Sequence, residues 1–124
     1  MGFGGLIGPL YGKRAVDGAR VLAFRVEKQH TNGMKNCHGG MLMAFADMAF
    51  GGAAPEALGM PWVTVRLLTD FVAGAELGDF VEGAGEIIGR DRDFYTARGR
   101  IWVGARTVMT GSGIFKLLTR ASHG

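Results

Sequence analysis

The chain has one cysteine in 124 residues, Cys37, so no disulfide can form within it, and an unpaired thiol fits a reducing compartment. It lacks any apolar run of the ~18 residues that would argue for a membrane span, and its first residues lack the basic start of a signal peptide. A cytoplasmic protein with no membrane partner is the expectation. The three histidines, at 30, 38 and 123, have no metal-ligand spacing, so no metal is expected. Dense basic runs are absent as well. The 14 Lys and Arg against 11 Asp and Glu leave a net charge of +3, spread from Lys13 to Arg120 without aromatic interleaving, which argues against a nucleic-acid partner. No linker or shift of composition divides the chain, so 1–124 reads as one domain, and its 48% hydrophobic content is enough for a core.

What is present in quantity is glycine, 22 residues dispersed through apolar segments, a pattern of turns, bulges and close packing. The stretch around which the chain is organised is 32–54. It opens with Asn32, Lys35, Cys37, His38, Gly39 and Gly40, and continues as an apolar run from 41 to 54 whose one charge is Asp47. Apolar residues on every side predict a helix surrounded by other elements.

A carboxylate inside such a helix is costly unless it is paired, hydrated or held neutral. Asp47 therefore either looks out through a gap or bonds a backbone neighbour, or it serves a site. Gly39 and Gly40 carry no side chain where the helix opens, so its first N–H groups can meet a ligand oxygen, an arrangement suited to an oxyanion. Asp47 lies eight residues beyond Gly39, roughly 12 Å along the axis. If the two cooperate, the acid comes from a second, antiparallel copy of the helix, as a two-fold dimer supplies. Cys37 beside His38 suggests a nucleophile pair, but sequence neighbours rarely face each other in the geometry that chemistry needs.

Around the helix the pattern predicts strands. A short extended piece is expected at 7–11, a turn at Asp17-Gly18, a strand at 21–29 and a turn at 30–33. The helix should end between Pro55 and Pro61, with strands following at 62–73, 80–89, 94–103 and 108–118, joined in a meander by short connections. An α+β fold results, with an antiparallel sheet wrapped about one helix. The glycine clusters at 83–89 and 111–113 have neither dinucleotide-loop nor nucleophile-elbow spacing and read as packing features.

The spacing Asn32, His38-Gly39-Gly40, Asp47 resembles the hotdog-fold acyl-CoA thioesterases, in the branch that includes the phenylacetate-pathway thioesterases and human thioesterase-superfamily member 2. The similarity runs from about 21 to 118 and includes 62–65, 76–79 and 111–116. It implies a curved antiparallel sheet around the central helix and a homodimer or dimer of dimers. It implies acyl-CoA as the small-molecule substrate, with no cofactor beyond that coenzyme A. The Gly39 N–H, with Asn32 nearby, would polarise the thioester carbonyl, and Asp47 of the second subunit would activate water as base or attack as nucleophile. By the same resemblance Thr64 helps hold that water and His38 lies near the leaving sulfur.

Gly40, Lys35 and Phe71 are the remaining candidate substrate contacts. Lys35 stands where many members carry glycine, and either meets a coenzyme A phosphate or is simply solvated. Phe71, with Met41, Met43, Phe45 and Phe50, lines either an acyl pocket or the core. Two other functions fit the same residues: hydrolysis of acyl groups on a carrier protein, and a non-catalytic acyl-CoA sensing module.

Overall fold

The computed structural model describes residues 8–118 apart from 16, 18 and 34. Strand β1 is Tyr11–Arg14, β2 is Arg20–Arg25, α1 is Gly39–Gly51, β3 is Trp62–Phe71, β4 is Phe80–Asp91, β5 is Phe94–Val103 and β6 is Arg106–Leu117. Two short 3-10 turns, Lys28–His30 and Pro55–Leu58, flank the helix on either side in sequence. The six strands form one antiparallel sheet in the order β1-β2-β4-β5-β6-β3, and α1 packs across it, as expected of a hotdog fold. Ile7, Gly18 and His123 lie outside the described residues.

Three expectations need correction. The strand anticipated at 21–29 stops at Arg25, and the chain then folds into the Lys28–His30 turn. The meander holds only for β4, β5 and β6. The connection 72–79 crosses from the far edge to the centre, so β4 pairs with β2, and β3 pairs with β6 as an edge strand. The helix, finally, is not surrounded. Leu42, Phe45, Ala46, Ala49 and Phe50 are buried, but Gly40 is exposed and Met43, Ala44, Asp47 and Met48 are only half-buried, leaving one face of the helix open.

The close approach of helix to sheet explains the glycines. Gly85 pairs with Gly99, and Gly99 with Gly111, so three adjacent strands present a row without side chains beneath Phe50. A Cβ at Gly99 would overlap the Phe50 ring and the Ala84 carbonyl, and one at Gly111 would lie 2.6 Å from the Leu68 carbonyl oxygen. Phe50 fills that channel and is wholly buried.

Strand β3 carries the other decisive irregularity. Thr64 is opposite Phe115 and Arg66 opposite Ile114, so Val65 is an extra residue, a β-bulge. Before it, Trp62 and Thr64 face the helix; after it, Leu67, Thr69 and Phe71 do, while Leu68 and Asp70 face the other way. One inserted residue thus switches the inward positions from even to odd numbers.

Candidate active site

The helix mouth is built by a tight hairpin. Thr31 pairs with Cys37, the Asn32 N–H donates to the Asn36 carbonyl at 3.0 Å, and Gly33 and Lys35 turn the chain at φ of 87° and 73°. The loop is pinned to 75–77, since Cys37 N–H donates to the Ala75 carbonyl and Leu77 N–H to the Lys35 carbonyl, both at 2.7 Å. Asn32, Lys35 and Asn36 are exposed on it.

His38 caps the helix. Its Nδ1 accepts the Gly40 N–H at 2.8 Å, and its carbonyl accepts those of Met41 and Leu42 at 3.0 and 3.2 Å. Of the first helical N–H groups, Gly39 alone finds no hydrogen-bond acceptor among the described residues. The Gly40 N–H is already committed to the imidazole. With Nδ1 an acceptor, a neutral His38 carries its proton on Nε2, on an exposed side chain. The Phe71 ring stands over this mouth, 3.5 Å from where a Cβ on Gly39 would be.

Two turns further along α1, the half-buried Asp47 accepts a hydrogen bond from the Thr64 hydroxyl. The partner is a side chain on β3, not the backbone neighbour that helix chemistry alone allowed. The candidate residues therefore fall into two groups: Asn32, Lys35, His38, Gly39, Gly40 and Phe71 at the mouth, Asp47 and Thr64 about 12 Å down the axis. One protomer does not bring them together.

Cys37 is buried, its thiol pushed up to about 11 by desolvation, and its sulfur approaches the His38 carbonyl rather than the imidazole. That is an inert thiol, against the nucleophile pair. No group of three or more His, Cys, Asp or Glu that could hold a metal occurs among the described residues. No helix among them is long and apolar enough to cross a membrane.

The residue that sequence reading passed over is His30, assigned only to a turn. It is 3% exposed and is the one buried polar side chain in the described core. Its Nδ1 accepts the Glu27 N–H at 2.9 Å, and its carbonyl accepts the His38 N–H at 2.7 Å. The Glu27-to-His30 spacing, three residues as in a helix cap, was the available signal.

Residues 34–110 match the thioesterase superfamily, well over half of the chain. The chain belongs to that superfamily. A Pseudomonas aeruginosa protein named "Putative esterase PA0474" is 32% identical over 118 residues, 90% of this chain and 85% of that protein. Among solved structures, a mutant form of the phenylacetic acid degradation protein PaaI from Thermus thermophilus is 26% identical, with a TM-score of 0.78, covering 94% of this chain and 98% of that one. A Streptococcus pneumoniae hypothetical thioesterase determined with coenzyme A is 22% identical, with a TM-score of 0.77 over 89% and 86% of the two chains.

Within this thioesterase-superfamily chain the matched span includes Lys35, His38, Gly39, Asp47, Thr64 and Phe71, while Asn32 and His30 precede it. A groove of about 820 Å³ lies on the sheet face away from α1, between Arg98, Arg100 and Trp102 of β5 and Leu68 and Asp70 of β3. Neither Gly39 nor Asp47 lines it. Those two candidates are instead on the helix side, on α1.

Proposed function

We propose that this protein hydrolyses acyl-CoA thioesters in a site completed by a second copy of the chain. The observation that carries the reading is the pairing of an uncommitted Gly39 N–H at a helix mouth with an Asp47 carboxylate on the open face of the same helix, too far away to reach the same carbon. An antiparallel second helix brings each mouth beside the other's acid. Support for such a contact comes from β3, an edge strand with Val63, Val65 and Phe71 exposed and Val72 exposed just after it, near the half-buried Met43, Ala44 and Met48.

In this mechanism Asp47, oriented by Thr64, takes a proton from water as the water oxygen bonds to the thioester carbon. The carbonyl oxygen gains negative charge beside the Gly39 N–H and the positive end of the helix, with Asn32 at its side. The C–S bond then breaks, and the sulfur leaves toward the His38 Nε2–H. A donor of this kind typically lowers the barrier by about 3 kcal/mol. Gly40 leaves room for the thioester, Phe71 lines the acyl approach, and Lys35 meets a phosphate of coenzyme A. No cofactor is needed.

The test is thiol release from aromatic and aliphatic acyl-CoA esters by wild type and Asp47→Asn side by side. Turnover that Asp47→Asn abolishes in a folded protein is the expected result. Binding of CoA esters without turnover would make the chain a sensing module, and turnover of carrier-linked esters alone would move the substrate to the carrier protein. Mixing Asp47→Ala with Gly39→Val, each inactive, should restore part of the activity, because one site of each mixed dimer is intact. No recovery after proven subunit exchange would rule out the shared site.

A further inference from the structure

The peptide joining His38 to Gly39 is held from one end only by the helix. Its carbonyl accepts the N–H groups of Met41 and Leu42, and because the peptide is planar and trans, the Gly39 N–H is forced to point the opposite way, out of the mouth. What fixes the other side of His38 is its own N–H, which donates to the His30 carbonyl at 2.7 Å. The direction of the Gly39 N–H therefore depends on where His30 sits.

His30 is anchored more firmly than a turn residue needs. Its N–H donates to the Glu27 carbonyl at 2.9 Å, and its Nδ1 takes back the Glu27 N–H at 2.9 Å, closing a ring of bonds across the Lys28–His30 turn. The imidazole meets the Phe24 ring edge-on at 5.2 Å, and Phe24 in turn packs on Phe45 of the helix at 4.8 Å. An apolar side chain would fill the same volume without bringing a polar ring into the core, where such a group is tolerated only when hydrogen-bonded. No buried side-chain nitrogen or oxygen among the described residues lacks a partner.

We infer that His30 is a positioning residue, which holds its own carbonyl, and through it His38, in the register that aims the Gly39 N–H at the substrate oxygen. The inference rests on the thioesterase reading given above. His30 touches no substrate; it acts through His38. The same tether fixes the base of the 31–37 hairpin, and with it the backbone of Asn32.

The experiment compares wild type, His30→Leu, His30→Asn and His30→Gln, by thiol release and by amide hydrogen exchange. Asparagine presents an oxygen at the Nδ1 position, where it can accept the Glu27 N–H; glutamine cannot reach it from there. His30→Leu and His30→Gln should lower kcat by on the order of 10- to 100-fold with a smaller change in KM, since a misaimed donor acts on the transition state. Exchange at the His38 amide should accelerate in both, and His30→Asn should recover most of the kcat and the protection. Equal losses in all variants, or a change confined to KM, would overturn the inference. If wild type shows no turnover, the hydrolase reading fails by itself, and the exchange data still decide: His38 protection unaltered in His30→Gln refutes the tether. Should His30→Leu not fold, the Asn and Gln pair carries the comparison.

Discussion

Thr64 donates its hydroxyl proton to Asp47 across the gap between β3 and α1, and it does so one residue before the bulged Val65. The bulge lets one edge strand contact the acid with Thr64 and the helix mouth with Phe71, residues of opposite parity that a regular strand would send to opposite faces. Thr64→Val keeps the shape and removes the donor. Its expected effect is a kcat lower by about 10-fold or more, the scale of one hydrogen bond to a charged group, with thermal stability little altered. Steady-state kinetics beside a melting curve check both halves.

The glycine row makes a prediction about stability alone. Gly99→Ala drives a methyl group into the Phe50 ring and the Ala84 carbonyl, and should cost about 1–3 kcal/mol by overpacking. Gly59→Ala, with nothing within 4 Å of the added carbon, is the control and should melt close to wild type. Denaturant unfolding of the two variants measures the difference.

Lys35 occupies a left-handed conformation at φ 73°, at a position where glycine would be unstrained. Lys35→Gly should therefore raise stability by about 1 kcal/mol. If the ammonium meets a coenzyme A phosphate, the same change raises KM, more so at low ionic strength, and leaves kcat near wild type. A KM unchanged across salt concentrations would return Lys35 to solvent.

Alkaline pH should loosen the fold through two buried acids. Burial raises the Cys37 thiol from 9.0 to about 11 and, as the leading cause, the Tyr95 phenol from 10.0 to about 12, where its hydroxyl donates to the Gly51 carbonyl at 2.6 Å. Both folded-state values exceed the unfolded ones, so the stabilisation is complete below about pH 9 and is lost between about pH 9 and pH 12. Tyr95→Phe should flatten the upper part of that decline in melting temperature. Thiol reagents at pH 8 should modify native Cys37 far more slowly than the unfolded chain.

Much of this architecture is local in origin and was legible in the residues themselves. The glycines at 39 and 40 and the single charge at Asp47 mark α1 and its unusual acid, although the helix stops at Gly51, short of the break expected between Pro55 and Pro61. Strand β5 has the limits that its turn residues predict, 94–103. The Asn32, His38-Gly39-Gly40, Asp47 spacing was enough to suggest the superfamily. These features depend on periodicity, capping and turn chemistry, which act over a few residues.

Long-range pairing decided the rest. The run 62–73 has apolar residues at both odd and even positions, so alternation could not reveal that Val65 is bulged, nor that the strand lies beside β6 and not β4. His30 looked like a turn residue because its burial depends on Phe24 and its purpose on His38, eight positions away. The open face of α1 was hidden for a related reason: an apolar run reads alike whether a sheet or a second molecule covers it. Sequence alone thus determined which residues are candidates for the chemistry and that one helix holds Gly39, Gly40 and Asp47. Only the tertiary structure decided which way they point, because a hydrogen bond or a strand register is set by what lies across the fold.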